Sequence, residues 1–311
     1  MKQDASLFAA IDLGSNAFRL MIGQSVRSRQ GLMIQEVKTL REPVRLAEGF
    51  EGGALDALAL DRGWQALARF GKKLRGFEAG KVRAVATSAV READNAQLFL
   101  HSAERHLGFR IDVISGHEEA QLVYAGVAHS LPGAEDMRLV VDIGGGSTEL
   151  ILGQGSQPLL TESIAIGSGT LGARYFPDGR IAPGALQEAE RVAILQFEKV
   201  ARRYRAQGWQ QTIGSSGTAR MLAKVLKANR LNDLGQDGIT YGGLLRLSLL
   251  LLKVKNVQQL KLAGLQPHRQ SILPGGLVLM LAAFKAFGIS QMVPSEPGLR
   301  LGVLHGLISR H

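Results

Sequence analysis

Two stretches of this chain repeat one pattern, and the repeat decides most of what the chain can fold into. Residues 8–20 read Phe-Ala-Ala-Ile-Asp-Leu-Gly-Ser-Asn-Ala-Phe-Arg-Leu, and residues 138–150 read Arg-Leu-Val-Val-Asp-Ile-Gly-Gly-Gly-Ser-Thr-Glu-Leu. Each passes from an apolar run through Asp, an aliphatic residue and Gly into a small polar turn, then back into apolar residues. Short apolar runs bounded by glycine turns read as strand, turn, strand. The two aspartates, Asp12 and Asp142, stand about one domain length apart. One such motif arises often by chance; two at domain spacing do not. The repeat predicts two domains of related architecture, each opening on a glycine-turn hairpin, and 311 residues suffice for both.

Between the hairpins the periodicity alternates. Residues 61–70 place Trp64, Leu67 and Phe70 on one helical face, and 81–87 alternate as a strand. A helix over 95–107, a strand over 109–114 and a helix over 118–128 follow. The second half continues with a strand over 159–166 and helices over 186–205, 219–228, 241–253, 276–287 and 299–309. Strands alternating with helices define an α/β class. The helix breaker Ser130-Leu131-Pro132-Gly133 sets the boundary, so the expected domains are 1–125 and 126–311.

Composition removes several chemistries. There is no cysteine, hence no disulfide, thiolate nucleophile or Cys-ligated metal, which suits a reducing cytoplasm. Lys and Arg number 37 against 27 for Asp and Glu, a balance suited to a polyanionic partner. Aromatic residues are only 5%, too few for a stacking platform on single-stranded nucleic acid, so no nucleic acid is expected. The greasiest stretch, 244–252, contains Arg246 and is too short to span a bilayer, and the amino end has no signal-like apolar run. A cytoplasmic protein without a membrane partner is the expectation, with a homodimer left open. Lys199, Arg202, Arg203 and Arg205 share one predicted helix, as a solvated face or as a track for a polyanion.

The turns carry the chemistry. Gly14, Ser15 and Asn16, and Gly144 to Thr148, would expose successive backbone N–H groups where no Cβ blocks a close ligand, an arrangement that favours phosphate oxygens. Asp12 and Asp142 at the strand ends would repel phosphate, so a hard cation such as Mg²⁺ is the natural mediator. An ordinary tight hairpin is the alternative for either loop alone. A third cluster, Gly214, Ser215, Ser216, Gly217 and Thr218, leads from a strand into a helix, as anion sites do. Gly167 to Gly172 fits a dinucleotide G-x-G-x-x-G, but Glu188 and Glu190 fall in a helix where the ribose-binding acid should end a strand. His117-Glu118 lacks the second histidine of a zinc protease. Glu118 and Glu119 open a helix, as dipole partners or as a carboxylate aimed at water. Arg91 stands at a strand-to-helix transition, as a phosphate clamp or a surface arginine.

Five segments together carry a resemblance. They are 10–16 (Ala-Ile-Asp-Leu-Gly-Ser-Asn), 86–91 (Ala-Thr-Ser-Ala-Val-Arg), 114–120 (Ile-Ser-Gly-His-Glu-Glu-Ala), 141–149 (Val-Asp-Ile-Gly-Gly-Gly-Ser-Thr-Glu) and 272–276 (Ile-Leu-Pro-Gly-Gly). In that order they resemble the exopolyphosphatase / guanosine pentaphosphate phosphohydrolase family. The resemblance implies two ribonuclease-H-like domains of the acetate and sugar kinase, heat-shock chaperone and actin superfold, with an interdomain cleft. It implies hydrolysis of terminal phosphate from inorganic polyphosphate or guanosine pentaphosphate with Mg²⁺, or Mn²⁺ in its place. By position, Glu119 matches the family's catalytic carboxylate. Asp142 and Glu149 match its acids for metal and water, and Arg91 a phosphate-contacting arginine. Gly14, Ser15 and Asn16 match the first phosphate loop, and Gly144, Gly145, Gly146, Ser147 and Thr148 the second. With Asp12, the acids Asp142 and Glu149 form the expected metal set. Two departures touch substrate positioning: Leu301 stands where the family usually has Glu, and Ser216 where Gly is frequent. An ATP-using kinase-like relative and a non-catalytic polyphosphate or alarmone sensor are the alternatives.

Overall fold

The computed structural model, which describes residues 6–28, 31–51, 53–131 and 135–310, builds each hairpin as the start of a sheet. In the first unit β1 (Leu7–Leu13) and β2 (Ala17–Ser28) pair antiparallel around the Gly14 turn, and β3 (Gly31–Pro43) adds beyond β2. A small ribbon, β4 (Phe50–Glu51) and β5 (Ala54–Leu55), follows. Then β6 (Val82–Ala86) pairs parallel with β1, and β7 (Ile111–Val113) parallel with β6. Alternation sends Ile11, Leu13 and Leu20 to one face, where α1 (Ala57–Lys73) and α3 (Ala96–Leu107) supply Leu67, Phe70 and Phe99. Phe8, Ala10 and Asp12 go to the other. A short helix α2 (Ser88–Arg91) follows β6, and α4 (Gly116–Ala128) follows β7. Ser115 caps α4, its Oγ accepting from Glu118 N at 3.1 Å.

The second unit repeats the strand order. β8 (Met137–Ile143), β9 (Thr148–Gln154) and β10 (Gln157–Ile164) form the antiparallel meander. β11 (Gln211–Gly214) adds parallel to β8, β13 (Gln291–Pro294) parallel to β11, and β12 (Ile239–Thr240) antiparallel at the edge. Leu139, Val141, Leu150 and Leu152 meet a helical layer drawn from α5 (Ser168–Tyr175), α6 (Pro183–Gln207), α7 (Gly217–Ala228), α8 (Tyr241–Val254) and α9 (Leu273–Phe287). α9 is apolar around nearly its whole circumference, as a helix buried on all sides must be. It starts three residues before the predicted 276, because Pro274 is tolerated in a first turn.

One boundary is corrected. The chain divides into Met1–Ser130 with Pro297–His311 and, separately, Leu131–Glu296, so the second domain does not run to 311. The last helix, α10 (Leu299–Ile308), lays Val303, Leu304 and Leu307 on Phe8, Ala10, Met21 and Val85 of the first sheet. It also crosses α4 at backbone contact: a Cβ on Gly126 would overlap the Gly298 carbonyl, and one on Gly302 the Leu122 carbonyl. Without that helix the Phe8 face of the first sheet would be bare. Pro132 and Gly133 of the predicted break lie outside the described residues.

Of the four cations on α6, Arg203 pairs with Glu162, Arg205 bonds Glu198 and the Ala286 carbonyl, and Lys199 donates to Gln196. Most of that face is engaged locally, which favours the solvated alternative over a track. Among the described residues, no helix is long and apolar enough to cross a membrane.

Candidate functional site

The second-unit loop is a tight turn locked from behind. Gly144 N donates to Ser147 O at 2.9 Å, and a Cβ on Gly144 would sit 3.1 Å from that carbonyl, too close for comfort. The first-unit loop repeats the constraint, a Cβ on Gly14 falling 3.2 Å from Ala17 O. The Gly167–Thr170 segment that mimicked a dinucleotide motif is the brace: Ser168 N donates to Gly144 O, and Gly169 and Thr170 N to Gly145 O. Those helix-start donors are thus committed to the loop itself. Thr148 is fully buried and its Oγ1 donates to Ile166 O at 2.6 Å, so it anchors the loop's exit. Ser147 is buried as well, and Gly144 and Gly145 remain partly accessible.

Behind this loop Asp142 and Glu149 stand directly opposite each other in the β8–β9 ladder. Like charges facing across a ladder are unfavourable unless a proton or cation intervenes. Each carboxylate is oriented by a hydroxyl: Ser215 donates to Asp142 Oδ2 at 3.0 Å, and Ser163 to Glu149 Oε1 at 2.8 Å. Two carboxylates flanked by hydroxyls form an all-oxygen donor set, which suits Mg²⁺ or Mn²⁺. The third predicted ligand fits less well. Asp12 is buried, which pushes its pKa above the ordinary carboxylate value, while Arg19 and Arg300 pull it back down. The two guanidinium groups offset that burial only in part. Among the described residues no three His, Asp or Glu side chains gather as a metal cage.

In the first unit the structure joins two residues that the sequence flagged separately. Arg91 Nη1 donates to Glu119 Oε2 at 3.1 Å and to Ile114 O at 3.0 Å. Glu119 is buried, held as the partner of a guanidinium on a rigid helix start. Its neighbour Glu118 is turned away, accepting from Arg83 at 2.7 Å. Thus only one of the two helix-start acids serves as a plain surface ion pair. Ser15 Oγ lies 3.0 Å from Ser88 Oγ, tying the first loop to the start of α2, the helix that carries Arg91.

The third glycine cluster is a helix start, Ser216 Oγ capping α7 by accepting from Ala219 N at 3.0 Å. Beside it opens a cavity of about 770 Å³, walled by the apolar Met221, Ala223, Val293 and Pro294 and by Lys224 and Arg269. Sequence reasoning missed three arginines near the first loop, Arg19, Arg41 and Arg45. Nothing in the local pattern marks them, because their proximity comes from strand register.

The profile of the Ppx/GppA phosphatase family matches residues 25–311. Among solved structures, the chain is similar to the PPX-GPPA enzyme of Aquifex aeolicus, at 26% identity over 96% of this chain and 99% of that one, with a TM-score of 0.75. An exopolyphosphatase-like protein matches at 25% identity over 99% and 98%, TM-score 0.84. An exopolyphosphatase from Cytophaga hutchinsonii shares the fold at 24% identity over 98% of each chain, TM-score 0.84. The twin loops, the acids behind them and the family match over nearly the whole chain agree: this chain belongs to the Ppx/GppA phosphatase family.

Proposed function

We propose that this hydrolase of phosphoric anhydrides removes terminal phosphate from inorganic polyphosphate. The observation that carries the reading is the Asp142–Glu149 opposition behind a braced glycine turn. The likeness to a protein described as exopolyphosphatase-like supports the substrate class.

Phosphoryl transfer asks a protein mainly for positioning and charge stabilisation. The turns at Gly14–Asn16 and Gly144–Ser147 supply backbone donors for phosphate oxygens. Asp142 and Glu149 would hold Mg²⁺ or Mn²⁺, which when bound neutralises charge on the phosphate oxygens. Glu119, fixed by Arg91, orients the attacking water and accepts its proton. Arg91 keeps N–H groups beyond those bonded to Glu119 and Ile114, and these serve phosphate.

A second substrate, guanosine pentaphosphate, is favoured by the cavity beside α7, whose apolar walls and four lining cations, Arg220, Lys224, Lys227 and Arg269, suit a base and its phosphates. One experiment separates the readings. The protein is incubated with Mg²⁺ and polyphosphates of defined length, or with guanosine pentaphosphate, without any acceptor, and free phosphate is measured. Release from polyphosphate at the higher kcat/KM supports the first reading; preference for the nucleotide supports the second. No release from either, with transfer from ATP to an added acceptor, would point to the kinase-like alternative.

A further inference from the structure

The outer strands of the first sheet hold a cluster of cations that the mechanism above does not use. Asp12 pairs in register with Arg19, and Arg19 with Arg41, so three side chains stand in one row across β1, β2 and β3. Two interstrand steps make that row about 10 Å long. The row lies on the face away from Ile11, Leu20 and Leu40, at the end of the sheet where the Gly14–Asn16 loop turns. Next to it stands Arg45, whose backbone N donates to Asn16 O at 3.1 Å while Ala47 N donates to Ser15 O at 3.3 Å. Arg45 is therefore hydrogen-bonded to the phosphate loop itself.

Two features of this cluster lack a structural purpose. Arg45 is left-handed, with φ 49° and ψ 50°, a conformation that costs a side-chain-bearing residue on the order of 1 kcal/mol. The strain is held in place from outside. Arg62 Nε donates to Val44 O at 2.8 Å and Arg62 Nη2 to Arg45 O at 3.2 Å. Glycine would relieve the strain, and arginine stands there instead. Strain imposed by several surrounding bonds is a pointer to function.

The second feature is charge. Arg41 has no ion-pair partner among the described residues; the adjacent Glu42 points to the opposite face of β3, where it pairs with Arg69 at 2.8 Å. Among the described residues Arg45 meets only Glu48 as an ion pair, at 3.5 Å and half exposed on both sides, a contact of little strength. Burial and the like charges of Arg19 and Arg45 push the Arg41 pKa below its ordinary value. The one carboxylate of the row, Asp12, is buried, and that burial raises its pKa despite Arg19 and Arg300. Repulsion among guanidinium groups is thus built into a rigid sheet end beside a phosphate loop. A bound polyanion would offset it.

We propose that Arg41 and Arg45, with Arg19, form an anion rack that receives the phosphate groups of an oligophosphate chain next to the group held at Gly14–Asn16. This rests on the phosphatase reading above and deepens it: the rack makes chain length, rather than a single phosphate, what the first unit recognises. Guanidinium forks match successive phosphates bidentately, which lysines would not.

The test uses the whole chain and the variants Arg41→Gln, Arg45→Asn, Arg41→Lys and Arg45→Lys. Asn tolerates the left-handed conformation, so Arg45→Asn removes the cation without adding strain. Binding of tripolyphosphate and of orthophosphate is measured by calorimetry, and KM and kcat on tripolyphosphate by phosphate release. Each neutral variant should weaken tripolyphosphate binding and raise KM by roughly 10-fold or more, the range for a lost charge-assisted hydrogen bond, with a smaller change in kcat. Orthophosphate binding should shift far less, and the Lys variants should recover part of the loss. Should one neutral variant fail to fold, the other neutral variant and the Lys pair carry the comparison. Wild-type tripolyphosphate affinity in both neutral variants, in a protein whose wild type hydrolyses polyphosphate, overturns the rack and leaves the phosphatase reading standing. A wild type that neither binds nor cleaves any phosphate chain overturns both.

Discussion

Glu149 faces Asp142 across the β8–β9 ladder at the position where, in the first unit, Arg19 faces Asp12 across β1–β2. The same hairpin thus carries an acid–acid pair in one unit and an acid–base pair in the other. The first unit sets a guanidinium opposite its aspartate; the second sets another carboxylate there, and both of its acids are oriented by hydroxyls, Ser215 and Ser163.

Asp142→Asn and Glu149→Gln should therefore each raise the Mg²⁺ concentration for half-maximal activity by roughly 10–100-fold, by analogy with other losses at metal sites. Excess chelator should abolish phosphate release by the wild type. Full release in chelator would contradict the assignment.

Glu119→Gln should lower kcat by roughly 10²–10⁴ and leave substrate affinity largely intact, the range for a lost general base. Because Arg91 bonds Glu119 directly, Arg91→Ala should lower kcat as well as affinity, and Arg91→Lys should recover only part of each. Steady-state kinetics on tripolyphosphate decide; equal, negligible effects of both Arg91 substitutions would return it to the surface.

Asp12 supplies a pH test. Burial, opposed by Arg19 and Arg300, raises its carboxyl pKa in the folded state. The native protein then binds the proton more tightly than the unfolded chain, so ionising Asp12 costs stability as pH rises from about 4 through the raised value. Asp12→Asn should be more stable than wild type at pH 7.5, by about 2–4 °C for each kcal/mol relieved, with the gap closing towards pH 4. Thermal melts across that range check the sign.

Gly302→Ala should destabilise the first unit by about 1–3 kcal/mol, since the added methyl meets the Leu122 carbonyl and neither helix can yield without moving the α4–α10 crossing. Urea unfolding measures it. A neutral result would show that the two helices are not in backbone contact.

The same crossing holds His305, whose ring lies 3.3 Å from that of His129 between centroids. Burial, then the proximity of His129, lowers the His305 pKa below 6.5. The unfolded chain therefore takes up the proton first as pH falls, and stability present above pH 6.5 is lost below it. His305→Gln should flatten the fall in thermal midpoint between pH 7 and pH 5. An identical slope in both proteins would count against it.

Much of this was legible before any coordinates. The hairpins at 8–20 and 138–150 are visible because both strands of each are buried and the turn demands glycine. The helices expected over 219–228 and 241–253 follow from apolar periodicity, to which the structure adds the Ser216 and Thr240 caps. β3 was not legible: residues 35–39 are exposed on both faces of an edge strand, so no alternation survives in the sequence. The allegiance of α10 was equally hidden, because an apolar helix does not say which sheet it will cover. Glu119 and Arg91 could be marked singly, but their bond depends on how β7 hands over to α4. Arg41 and Arg45 carry no local signal, since only strand register and one strained residue bring them to the loop.

Because residues 297–311 complete the first unit, its sheet keeps a bare apolar face until the segment through Ile308 has left the ribosome. Synthesis thus reverses the usual order in which the amino-terminal module matures first. The inserted module, 131–296, can fold while the earlier one waits half-built, a window in which Phe8, Ala10 and Met21 are open to chaperones and to aggregation. Limited proteolysis of ribosome-stalled chains should find the inserted module protected first.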